Sequence, residues 1–154
     1  MKKMNRPNLP LTAEERKSLR RNGVTLTMIH TYETEDLRLM LRCSKERAET
    51  LRALAVFQHI PSIGLKGAEQ VVYGLGVLSL QELAEKSGAD WLDELEQNLG
   101  VWTDPCVEDQ LRCMVHHARH PNSSRKWFDF TVKRKEYRAE YGYPVERPER
   151  AWYE

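Results

Sequence analysis

The most informative spacing in this chain runs Ile60-Pro61-Ser62-Ile63-Gly64-Leu65-Lys66-Gly67-Ala68-Glu69-Gln70-Val71. An apolar residue, proline, a small residue, a second apolar residue and glycine are followed by alanine four positions on and an apolar residue three beyond. Pro61 helps to end a preceding helix, Gly64 lets the backbone turn tightly, Ala68 lets two helices pack closely, and Ile60, Ile63 and Val71 anchor the corner. Such a turn leaves the first amides of the next helix without intrahelical partners. With the positive end of the helix dipole, those amides suit a phosphate oxygen. Ser62, Ile63, Gly64, Leu65 and Lys66 are therefore the expected phosphate-contacting residues, Lys66 adding a point charge. The competing reading is a structural or protein-docking corner, because such turns also serve simply to join helices.

Two other clusters have a possible chemistry. Cys113, His116 and His120 fall at i, i+3 and i+7 on one helical face, a start toward zinc, yet a fourth ligand would have to arrive from Cys43 or Cys106 through folding. The preferred reading makes Cys106 and Cys113 core residues on one apolar stripe and leaves the histidines at a frayed helix end, with no metal and no cofactor. Trp127, Phe128 and Phe130 interleave with Arg125, Lys126 and Lys133, which suits base stacking on single strands, although packing of a terminal helix onto the body is preferred. There is no P-loop, no nucleophile elbow and no HExxH. Carboxylate pairs such as Asp90 and Asp93 fit capping and solvation, so no catalytic site is expected.

The elements that must position these residues read as helices throughout. Thr12 with Glu15 has capping-box spacing and starts a short charged helix over Glu14 to Arg21 that stops at Asn22-Gly23. Val24 to Ile29 is β-branched but has no partner strand, so it reads as a connector. Thr34 can cap a second helix with Leu37, Met40 and Leu41. Ser44 can cap a third with Ala48, Leu51, Ala55 and Val56 at helical spacing. A fourth begins near Leu65 and ends at Gly74-Leu75-Gly76, and Ser79 with Glu82 repeats the capping spacing. A helix containing Trp91, Leu92, Leu95 and Leu99 stops at Gly100. Asp104 and Pro105 open the next, whose buried face is Val107, Leu111, Met114, Val115 and Ala118, and His120-Pro121-Asn122 ends it. Thr131 to Tyr141 reads as a terminal helix closed by Gly142.

A chain of 154 residues, 40% hydrophobic and 31% charged, can bury one ordinary core. It divides into a basic N-terminal helix and connector (1–30), a core domain (31–120) and a C-terminal helix with an aromatic tail packed on that core (121–154). No stretch approaches the roughly 20 apolar residues of a membrane helix, and the start has no apolar run of signal type. Three cysteines without a CxxC pair suit a reducing compartment, so a cytoplasmic protein is expected. The net charge of +1 hides basic ends and an acidic middle. Lys2, Lys3, Arg6, Arg16, Lys17, Arg20 and Arg21 crowd the start, and Arg125, Lys126, Lys133, Arg134, Lys135 and Arg138 follow Arg119. A polyanion would meet the two ends.

The segment from Ile60 to Val71 resembles the helix-hairpin-helix family of DNA-binding elements, with Ser62 where that family usually has glycine and Leu65 where it often has proline. Upstream, Met40 to Leu51 repeats the register, placing Ser44 under Gly64, Ala48 under Ala68 and Leu51 under Val71. In this degenerate copy Ser44 and Lys45 become a secondary phosphate contact; Arg16, Lys17 and Arg20 of the first helix read first as a solvated face and, as the alternative, as a further phosphate contact. A structural corner is the preferred reading of that copy. More widely, Ile60-Pro61-Ser62-Ile63-Gly64, Trp102-Thr103-Asp104-Pro105-Cys106-Val107, Arg112-Cys113 and Lys126-Trp127-Phe128-Asp129-Phe130 look like the bacterial pathogenicity-locus family of small helix-hairpin-helix proteins. That resemblance implies a bacterial, cytoplasmic, all-α protein of SAM-like, helix-hairpin-helix type. Its implied partner is DNA, gripped through backbone phosphate without sequence preference, and no membrane. The alternative is a protein partner or scaffold role.

Overall fold

Thr12 and Glu15 cap one another, the Thr12 hydroxyl accepting from the Glu15 amide at 3.1 Å and the Glu15 carboxylate accepting from the Thr12 amide at 2.9 Å. They start α1 (Ala13–Arg21). The structure, a computed structural model, describes residues 6–154, in which every regular element is helical. Lys2 and Lys3 lie outside the described residues.

The connector at Val24 to Ile29 is not irregular: Leu26–Thr31 winds as a 3₁₀ helix and buries Ile29. Thr34 does not cap α2 (Thr34–Leu41). It is the first helical residue, and Glu33 holds the cap position without a side-chain bond. Ser44 does cap α3 (Lys45–Gln58), accepting from the Arg47 amide at 3.1 Å. Then come α4 (Leu65–Glu69), which widens into a π turn over Gln70–Gly74, and the single-turn α5 (Leu80–Leu83). Ser87 caps α6 (Gly88–Leu99), and Asp104 caps α7 (Pro105–Arg119) with Pro105 at the first position. A 3₁₀ turn, Trp127–Phe130, leads into α8 (Thr131–Tyr141).

A single hydrophobic cluster runs from Leu9 through Leu37, Phe57, Leu92 and Met114 to Phe130, so the three sequence segments share one core. α3 is its centre, burying Ala48, Leu51, Ala53, Leu54, Ala55 and Phe57 around most of its circumference. Among the described residues no helix is long and apolar enough to cross a membrane.

The aromatic packing that the sequence suggests is present in the turn before the C-terminal helix, where Phe130 joins the core and Trp127 packs against it, but not along the helix itself. Phe130 is buried, Trp127 is half-buried and Phe128 is exposed, while α8 itself buries no residue. Ion pairs attach it. Arg134 Nε reaches Asp109 at 2.6 Å, and Arg138 reaches Glu108 through Nε at 2.9 Å and Asp93 through Nη2 at 3.0 Å. Burial pushes the Asp93 carboxyl above the usual carboxylate range despite that guanidinium. Arg112 Nε also donates to Glu108 at 3.0 Å. Its Nη2 lies 2.9 Å from the same oxygen without hydrogen-bond geometry. Further along, Arg147 grips Glu96 with two bonds of 2.7 and 3.0 Å, and Thr103 donates to the same carboxylate twice. Tyr143 lies between Arg138 and Arg147, with ring-to-guanidinium distances of 4.1 and 3.6 Å.

Candidate functional site

α3 stops at His59, whose amide still bonds back to Ala55, and the chain turns at once, with Ile63 N–H donating to the Ile60 carbonyl at 3.1 Å. Ser62 sits in the left-handed region at φ +71°, where a serine is strained. Two bonds hold it there. Its hydroxyl donates to the Pro61 carbonyl and accepts from the Trp127 amide at 2.9 Å. The side chain that glycine would lack thus ties the corner to the 3₁₀ turn before α8.

Gly64 is extended (φ −99°, ψ −170°), so its backbone does not require glycine. A Cβ built there would meet nothing within 4 Å. The missing side chain leaves the approach to the α4 start open. The first intrahelical bond runs from Ala68 N–H to the Gly64 carbonyl at 3.1 Å, and no side chain caps the helix. The amides of Leu65 and Lys66 precede that bond, and Ser62, Gly64 and Lys66 are exposed while Ile63 is buried as an anchor.

The degenerate copy takes the same shape. Arg42, at φ +53°, and Ser62 are the two non-glycine residues with positive φ among those described, each two residues before a helix cap, Ser44 or Gly64. Ala48 and Ala68, and Leu51 and Val71, are all buried. Yet the two corners differ where it counts for an anion. The Ser44 hydroxyl already occupies the Arg47 amide, and Lys45 lies 3.8 Å from Glu49 on its own helix. Only the Gly64 corner of this pair has an uncapped helix start.

Arg16, Lys17 and Arg20 are exposed on α1. The first turn of α1 is fixed at the far end of α3, by Glu15 and Arg47 at 2.8 Å. The Arg47 guanidinium holds the Glu15 carboxyl below its usual range. Arg47 and His59 are separated by about 18 Å of helix rise.

The basic residues beside the Gly64 corner come instead from the other end of the chain. The Trp127–Ser62 bond sets exposed Arg125 and Lys126 next to the turn. The Arg125 carbonyl is pinned by His117 Nε2 at 2.7 Å and the Cys113 thiol at 3.8 Å, and Asp129 accepts from the Lys126 amide at 2.8 Å. The sequence signal for this flank was present in the alternation of basic and aromatic residues, but its position beside Ser62 was not.

Cys113, His116 and His120 do not converge as ligands. The Cys113 thiol is turned toward Arg125 and pushed up by burial to about 12, and His116 Nε2 pairs with the Ser123 hydroxyl at 2.9 Å. Among the described residues no group of three His, Cys, Asp or Glu is placed to hold a metal. Two expectations need correction. Cys106 lies exposed in the first turn of α7 rather than in the core, and His117 is buried rather than frayed.

His30 stacks on His59 at 4.0 Å beside the corner. Burial, then the neighbouring His59, depress the His30 imidazole from 6.5, and burial with His120 and His117 does the same to His116. The folded state therefore resists protons that the unfolded chain accepts. Stability should be fully present above pH about 7 and fall as the pH drops through 6.5. Thermal melts between pH 7.5 and 5.5 should show a falling midpoint, and His30→Gln should flatten that slope.

The family model for Cdd1, described as pathogenicity locus, matches residues 50–136, more than half of the chain. The chain belongs to that family. No curated protein and no solved structure matches it. The Cdd1 span begins inside α3 and ends inside α8, taking in the Gly64 corner and its Arg125–Trp127 flank. It leaves out α1, the Arg42 corner, and Arg138 and Arg147.

Proposed function

We propose that this protein binds DNA without sequence preference, using α3, the Ile60–Gly64 turn and α4 as a helix-hairpin-helix. The observation that carries this reading is the uncapped, exposed start of α4 with Arg125 and Lys126 beside it. Backbone phosphate would be met by the amides around Leu65 and Lys66, with Lys66, Arg125 and Lys126 as its counter-charges. Ser44 and Lys45, already engaged internally, and the cations of α1, a helix anchored at its first turn to Arg47, are not needed for this contact. The unpaired cysteines Cys43, Cys106 and Cys113 suit a bacterial cytoplasm as its setting.

Fluorescence anisotropy with unrelated duplexes tests the reading. A Kd of roughly 10⁻⁴ to 10⁻⁶ M, alike for all sequences and weakening with salt, is expected. Lys66→Glu and Lys126→Glu should each weaken every duplex equally and lower the salt slope by about 1. Affinity that ignores salt, or that survives Lys66→Glu unchanged, contradicts it.

A second reading has its own support. Phe128 is 54% exposed and Val132 65% exposed close to the same flank, as a protein-docking edge would be. Partners that persist after nuclease treatment, with free DNA left unbound, would favour it.

A further inference from the structure

Arg6, Arg16 and Arg20 line a half-open hollow of about 510 Å³ together with Leu11, Leu19, Val24 and Leu26, between the N-terminal segment, α1 and the start of the first 3₁₀ helix. That volume falls in the range of roughly 300–1,000 Å³ typical of small-molecule sites, and a mainly apolar wall with a few convergent polar groups is their usual chemistry. The charge is unbalanced. Among the described residues no carboxylate lines the hollow, and none of the three arginines has an acidic partner. The arginines that brace the helices, Arg47, Arg112, Arg134, Arg138 and Arg147, all have one. Arg16 and Arg20 are, moreover, a like-charged i, i+4 pair, which weakens the helix that carries them.

We infer that this hollow binds an organic phosphate, its phosphate groups on Arg6, Arg16 and Arg20 and its uncharged ring body against the Leu and Val side chains. Three guanidinium forks offer more donors than one carboxylate can accept, and their geometry matches phosphate oxygens. The absence of acidic lining disfavours amines. Thr25 and Thr27, whose hydroxyls lie 3.0 Å apart, add polar contacts at the edge. Nucleotide chemistry fits both halves, whether as a free nucleotide or as the 5′-phosphorylated end of a strand. No residue of the Gly64 corner lines the hollow, and the inference goes beyond the DNA reading.

Calorimetric titration of the full chain with ATP, pyrophosphate and adenosine in magnesium-free buffer tests it. ATP should bind one to one and at least tenfold more tightly than either half. Arg16→Glu and Arg20→Glu, both at exposed positions, should each weaken ATP tenfold or more with unchanged circular dichroism, while Lys66→Glu leaves it unaltered. A 5′-phosphorylated oligonucleotide that competes with ATP, where its 5′-hydroxyl twin does not, identifies a strand end. Competition by neither identifies the free nucleotide. No heat with ATP, equal binding of pyrophosphate and ATP, affinity indifferent to both arginine changes, or equal competition by the 5′-hydroxyl strand overturns the inference.

Discussion

Glu108→Ala is expected to lower the stability of the chain by about 3–5 kcal/mol, because it removes the shared carboxylate from between two largely buried guanidinium groups. Glu108 is 0% exposed, and the Arg138 and Arg112 side chains only 7% and 15%. Taking such charges out of water is costly, and the pair is tolerated only while each has its partner. Removing Glu108 leaves Arg112 buried without an acidic partner and Arg138 with Asp93 alone. Typical folding free energies are about 5–15 kcal/mol, so the loss is about a fifth of the total or more. Urea denaturation of Glu108→Ala beside the parent chain measures it. Glu35→Ala is the control: its pair with Arg38 has side chains 64% and 37% exposed, and no measurable change is expected. Equal midpoints for parent and Glu108→Ala would mean that α8 is not held by this carboxylate.

The second large effect belongs to Gly88, the first residue of α6. A Cβ there would lie 2.7 Å from Arg112 Cα and 2.8 Å from Arg112 N, both backbone atoms of α7. Backbone cannot swing aside as a side-chain end can, so Gly88→Ala must push α6 and α7 apart at the crossing they share. Overpacking of this kind costs about 1–3 kcal/mol, and contact with backbone places this case at the upper end. A drop of roughly 6–12 °C in melting temperature follows for a chain of this size. Gly64→Ala, with nothing within 4 Å of the new methyl and an ordinary φ, should melt within a degree or two of the parent. Scanning calorimetry of the two variants side by side gives the comparison. Similar melting for both would contradict the packing described at Gly88.

The caps made much of the fold legible. Thr12, Ser44, Ser79 and Asp104 each bond where their spacing places them, because a cap is settled within four residues of chain. The corner at Ile60 to Gly64 was legible for the same reason. What escaped was decided by residues far apart. Nothing in the local pattern marks Glu108 and Asp109 as buried, and only the arrival of Arg134 and Arg138, 25 and 30 residues later, allows them inside. Ser62 departs from glycine at a left-handed position, and its stabilising contact with Trp127 spans 65 residues. That contact also decides which basic residues flank the candidate site. The 3₁₀ helix at Leu26–Thr31 was missed because β-branched residues were weighed for strand, and a short helix needs only local turns and one buried anchor, Ile29.

In the proposed function the start of α4 offers its free amides, beside Arg125 and Lys126, to a backbone phosphate. The most direct measurement is an amide NMR titration of the whole chain with a short duplex of arbitrary sequence. Shifts concentrated at Ser62 to Gly67 and at Arg125 to Trp127, unchanged in pattern with a second sequence and absent in Lys66→Glu, are the predicted result. Shifts confined to α1 or the Arg42 corner, or no shifts at low salt, would contradict it.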